Sequence, residues 1–159
     1  KKFSQAENKY KEALSKNKES KEAGFNLGDA LYEQKKYEEA TEQFNATAKT
    51  AKDKKIQSQA YHNLGNSYLQ NKKYEESINA YKNALKMNPD DAISSIALAE
   101  NNKAAGNEAA YLLGLKPLFN KAEVDIDLKV KELFPYISKL PNGVYFLKIN
   151  SSAIKFIKN

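Results

Sequence analysis

The chain contains no cysteine, no tryptophan and no arginine, and it has a single histidine, His62. Without cysteine there can be no disulfide, no thiolate metal site and no cysteine nucleophile. One histidine excludes a multi-histidine metal centre. Because arginine is missing, the basic side consists of 26 lysines against 20 acids. Such a surface attracts polyanions but lacks the planar fork that reads guanine or phosphate. The net charge of +6 is also dispersed, with residues 1–105 and 106–159 each carrying a surplus of three lysines. This is the pattern of a solvated lysine surface, not of a nucleic-acid-binding arm. No apolar run approaches the ~20 residues that span a bilayer, and no glycine-rich phosphate loop is present. What remains is 159 residues, 41% hydrophobic and 29% charged, enough to bury a core without covalent staples.

That core is written as a repeat. Phe25-Asn26-Leu27-Gly28-Asp29 returns as His62-Asn63-Leu64-Gly65-Asn66, and Lys35-Lys36-Tyr37-Glu38-Glu39-Ala40 returns as Lys72-Lys73-Tyr74-Glu75-Glu76-Ser77, both at an offset of 37 residues. Leu31 and Tyr68 follow each glycine by three, and Phe44 and Tyr81 follow each Ala40 or Ser77 by four. Each unit carries two stretches with apolar residues at helical spacing. Gly28, Gly65, Ala40, Ser77 and Ala84 are small enough for close helix approach, and Tyr37, Tyr74, Phe44 and Tyr81 fill the space between units. Pro89 ends a helix and redirects the chain.

The pattern resembles the tetratricopeptide repeat, a 34-residue helix–turn–helix unit that buries its apolar face only by stacking. Units begin at Lys21 and Ser58, with three extra residues near Asp53-Lys54-Lys55. Phe3, Ala6, Tyr10 and Ala13 repeat the second-helix signature, so the chain opens on a half unit. It also opens without methionine, as a trimmed product would. Ala92 to Lys103 reads as one more, capping helix. The expected fold is mainly α, a superhelix over residues 1–105. Gly24 stands where the family carries a large aromatic, and looser packing is expected around it. The Asn63-Leu64-Gly65-Asn66 unit and the Ala51-Lys52-Asp53-Lys54 insertion are similar to the tetratricopeptide protein of bacterial aerotolerance operons. That resemblance implies an envelope or periplasmic scaffold beside von Willebrand-type membrane proteins.

In this family the first helix of each unit lines a concave groove. Carried over by register, the groove positions are Glu22, Phe25, Asn26, Asp29 and Tyr32, then Gln59, His62, Asn63, Asn66 and Leu69. Mixed aromatic and amide linings suit an extended peptide or a helix, with Asn26 and Asn63 bonding its backbone or the next helix. Some members clamp a C-terminal carboxylate with lysines and asparagines. Here Phe25 or His62 replaces the first clamp lysine and Asp29 replaces the first clamp asparagine, so a carboxylate would be repelled by ~1 kcal/mol or more. A neutral, basic or hydrophobic segment fits better.

No catalytic set stands out. Tyr61 and Asn63 give His62 neither nucleophile nor acid. Asp90-Asp91 reads as helix-capping charge after Pro89. Asp125 and Asp127 read as the wet face of a strand. The expectation is a non-catalytic protein-binding scaffold without metal or cofactor. The rival readings are a self-assembling envelope protein, a homo-oligomer joined at the half unit, and a weak lysine-based polyanion binder.

The repeat signature stops at Gly106. Residues 106–123 read as a helical connector, one or two short helices broken at Pro117. Residues 124–159 read as a small β-rich tail. Val124 to Val130 alternates as a half-buried strand does. Gly143 to Ile149 and Ala153 to Ile157 flank Asn150-Ser151-Ser152 as a hairpin with a three-residue turn. Leu140-Pro141-Asn142-Gly143-Val144-Tyr145-Phe146 resembles the end of a type IX secretion sorting tail.

Overall fold

The computed structural model describes residues 2–119, 143–149 and 152–158. Two compact units divide the chain, Lys1–Tyr111 and Leu112–Asn159. Among the described residues seven helices run in order: α1 (Lys2–Lys16), α2 (Lys21–Tyr32), α3 (Tyr37–Thr50), α4 (Lys54–Gln70), α5 (Tyr74–Met87), α6 (Ala92–Ala104) and α7 (Glu108–Phe119). Consecutive helices from α1 to α6 pack pairwise.

Short polar side chains start the first helix of each pair. Ser20 Oγ accepts from the Ala23 amide, Asp53 Oδ1 from the Lys55 and Ile56 amides, and Asp91 Oδ1 from the Ile93 amide. Each satisfies amides that a helix start leaves without partners. The second helices α3 and α5 have no side-chain cap. They begin instead with Glu38-Glu39 and Glu75-Glu76, whose charge favours the positive end of the helix dipole. The extra residues of the second unit are absorbed by α4, which starts a turn early and reaches 17 residues against 12 in α2 and 13 in α6.

The turn between paired helices is the same three times. Lys35, Lys72 and Gly106 all have positive φ, at 61°, 58° and 78°. The next residue's amide reaches back five positions: Lys36 to the Leu31 carbonyl (3.0 Å), Lys73 to Tyr68 (2.9 Å) and Asn107 to Asn102 (2.8 Å). This left-handed, six-to-one closure satisfies the last helix carbonyls. It places Gly106 in register with the two lysines, so the repeat's turn persists past residue 105. Helix α7 then runs unbroken through Pro117 for two further residues. The expected break at Pro117 is therefore corrected: the helix continues past the proline, which forfeits its one backbone donor.

Glycine–aromatic apposition fixes the pairing of helices. Phe44 and Tyr81 are fully buried. A Cβ on Gly28 would stand 2.6 Å from a Phe44 ring carbon, and one on Gly65 would stand 2.6 Å from a Tyr81 ring carbon. Leu27, Leu31, Leu64 and Ala80 complete this core, and Tyr10 and Leu14 of α1 pack against it. Fully burying such side chains contributes roughly 1.5–3 kcal/mol each. The looseness expected around Gly24 is not found. Gly24 is buried, and Thr47 Oγ1 lies 3.0 Å from where its Cβ would be, so α2 and α3 close the space an aromatic would have filled.

Within the second unit, β1 (Gly143–Ile149) pairs antiparallel with β2 (Ser152–Lys158), in register from Gly143 opposite Lys158 to Ile149 opposite Ser152. Ser152 is thus a strand residue, not the third residue of a turn. The strand expected over Val124 to Val130 and residues 120–123 of the connector lie outside the described residues.

Candidate functional site

Helices α2 and α4 and the start of α6 face a common cleft of about 400 Å³. Phe25 and Asp29 stand on one side, Gln59, His62 and Asn63 on α4, and Asp91 and Ile93 on the other side. A smaller hollow of about 220 Å³ adjoins it, bounded by Asp29, Tyr32, Glu33, Asn63 and Asn66. Asp29 and Asn63 belong to both. Seven of the ten register-derived positions are therefore brought together. Glu22 is not among them, since it borders a separate hollow with Ser20, Lys52 and Asp53. Asn26 and Leu69 are half-buried and border neither cleft.

The amides serve the scaffold. Asn63 Nδ2 donates to Asp29 Oδ1 at 2.9 Å, tying α4 back to the preceding unit. The Tyr81 hydroxyl donates to Asn66 Oδ1 at 2.7 Å; burial pushes that phenol up to about 12. Burial raises Asp29 from its ordinary 3.8 to about 6, against the lowering bond from Asn63 and with a further push from Glu33. The folded state therefore holds this proton more tightly than the unfolded chain does. The associated stability is full below pH 3.8 and is lost as pH rises through about 6. Asp29→Asn keeps an oxygen for Asn63 and removes the buried charge. We expect its unfolding free energy in urea to match the wild type at low pH and to exceed it above pH 6 by about 1 kcal/mol after allowance for solvent screening. An unchanged difference across that range would contradict the assignment.

His62 has partners its sequence neighbours do not reveal. Its Nδ1 lies 3.0 Å from Ser94 Oγ, and Ser94 Oγ donates to Asp91 Oδ2 at 2.6 Å. Since the single serine proton goes to the carboxylate, His62 is the donor to Ser94. That is the reverse of nucleophile activation, and Ser94 is fully buried. Burial lowers the His62 pKa, with Asp91 opposing. The trio anchors the start of α6 to α4.

One cleft residue, Ile93, escaped the register-derived set; Ile96 follows it on α6 and borders neither cleft. Ile93 and Ile96 are 68% and 41% exposed. They stand 34 residues after Gln59 and His62, at the repeat's own period. Extending the register by one more unit would have found them.

Two family models, both described as tetratricopeptide repeat, match residues 1–64 and 58–91. Residues 1–91 are tetratricopeptide repeats. No curated protein matches the sequence. Among solved structures, MamA 41-end from Desulfovibrio magneticus RS-1 shares the fold of this tetratricopeptide chain at a TM-score of 0.65 and 19% identity, covering 85% of this chain and 68% of that one. PilF of Pseudomonas aeruginosa aligns at 0.65 and 20% identity, over 80% of this chain and 60% of its own. A chain of the CopN–Scc3 complex aligns at 0.61 and 17% identity, over 82% and 75%. The tetratricopeptide chain spans 65% of a further MamA structure. Tetratricopeptide domains generally bind protein partners, and the matched families are not catalytic ones. Among the described residues no helix is long and apolar enough to cross a membrane.

Proposed function

We propose that the chain is a non-catalytic scaffold whose concave face seats a peptide or a partner helix. The observation that carries this reading is the cleft between α2 and α6, where Phe25 and the exposed Ile93 border the same space. An apolar side chain placed there would remove both from water, and the polar groups around them are held rigid by the Asn63–Asp29 and His62–Ser94 bonds. Such preorganisation reduces the entropy cost of binding. The resemblance to the aerotolerance-operon protein extends the proposal to an envelope location and a von Willebrand-type partner. The sorting-tail resemblance also supports export.

The test uses a phage-displayed random peptide library panned against the full chain. Selected peptides, made synthetically, should lose about tenfold in affinity on Ile93→Ser by fluorescence anisotropy, the equivalent of one buried aliphatic side chain. Photo-crosslinks should fall on α2, α4 and α6. Binders that ignore Ile93→Ser and crosslink to α3 or α5 would defeat the proposal.

A further inference from the structure

We infer that the groove's occupant carries a lysine or arginine next to an apolar side chain, the cation seating at Asp29 where the two clefts meet and the apolar group lying against Phe25 and Ile93. This inference rests on the groove reading above and adds the chemistry of the guest. A segment running from one cleft into the other passes Asp29 and Asn63, the residues that border both. Asn63 engages Oδ1, and among the described residues Oδ2 forms no protein hydrogen bond. No lysine borders the smaller cleft, whereas Glu33 stands beside Asp29 there. In the larger cleft Lys55 and Asp91 offset each other. The charge left over along the path is negative, although the chain as a whole is at +6. An acidic guest is disfavoured on the same ground. A lysine or arginine stem can cover the Phe25 and Tyr32 rings while its head reaches the carboxylate.

The burial that raises Asp29's proton affinity marks a carboxylate with too few partners. A guest cation supplies one, so binding should tighten as pH rises through about 6. The other groups facing the site are Glu33 and Tyr32 on the α2 side, His62 and Lys55 on α4, and Asp91 at the start of α6. Deprotonation of His62 acts in the same direction, so the readout is the difference between the wild type and Asp29→Asn.

The library is therefore panned on both proteins, and each binder is remade with its basic residue changed to glutamine. On the wild type that change should weaken binding about tenfold, and on Asp29→Asn less than about twofold. The wild type alone should keep the part of the pH dependence due to the carboxylate. Binders that need Ile93 yet carry no basic residue, or whose basic residue matters equally to Asp29→Asn, would overturn the inference and leave the groove standing. A library yielding no peptide dependent on Ile93 would overturn the groove as well.

Discussion

Gly28→Val is expected to lower stability by about 3 kcal/mol, and the double variant with Phe44→Leu is expected to cost less than the two single changes together. The first new carbon would lie 2.6 Å from one Phe44 ring carbon and within 2.9 Å of two others. The ring cannot swing away freely, since it is fully buried and meets Phe25 edge-on at 5.7 Å. Overpacking of this kind typically costs about 1–3 kcal/mol or more, while the gain in helix propensity over glycine is a few tenths. Phe44→Leu alone opens a cavity at roughly 1–2 kcal/mol. In the double variant the smaller side chain yields the space that valine needs, so the cycle should show a favourable coupling of about 1 kcal/mol or more. Urea unfolding of the four proteins measures it. Strictly additive costs would mean that Gly28 and Phe44 do not face each other.

The same pairing explains how far the fold was readable from the amino acids. Gly28 with Phe44 and Gly65 with Tyr81 are separated by the same 16 residues, and a spacing of that kind survives translation into helices without distortion. The turns were harder. Lys35 and Lys72 hold a left-handed conformation that glycine usually takes, so nothing in their identity linked them to Gly106. The third turn became visible only as backbone geometry. Pro117 suggested a break because proline lacks a backbone donor, yet α7 continues past it. Gly24 suggested slack because a missing side chain does not reveal that Thr47 moves in. At the site, residues standing one unit apart were legible as a face, but their bonds were not. Asn63 finds Asp29 across 34 positions and His62 finds Ser94 across 32. Both choices depend on rotamers and on the exact rotation of adjacent helices. Ile93 and Ile96 lacked the motif that marks the earlier units, and only the period could place them.

Glu7→Gln should destabilise the chain by about 2 kcal/mol near neutral pH, and the deficit should shrink as the solution is acidified. Glu7 is 5% exposed. Its Oε1 accepts from Lys11 Nζ at 2.6 Å, and its Oε2 accepts from Lys36 Nζ and from Gln34 Nε2, both at 2.9 Å. Those bonds, Lys11 first and then Lys36 and Gln34, outweigh burial and hold the carboxyl down at about 2. The folded pKa is depressed, so the contribution is complete above 4.5 and disappears as pH falls through that value toward 2. Glutamine fills the same volume but removes the charge and turns its amide donor toward either Lys11 or the Lys36–Gln34 pair. Hydrogen bonds to a charged acceptor are worth about 1.5–3 kcal/mol, and the partial exposure of both lysines holds the expected loss within that range. Gln34 and Lys36 flank Lys35, the left-handed residue that closes α2. Glu7 therefore fastens α1 to the turn between α2 and α3, and α1 otherwise adheres mainly through Tyr10 and Leu14. Hydrogen exchange should show the α1 amides losing protection in Glu7→Gln while those of α4 and α5 keep theirs relative to global stability. A deficit equal at pH 3 and pH 7, or an α1 as protected as in the wild type, would mean that the carboxylate is not what holds the first helix in place.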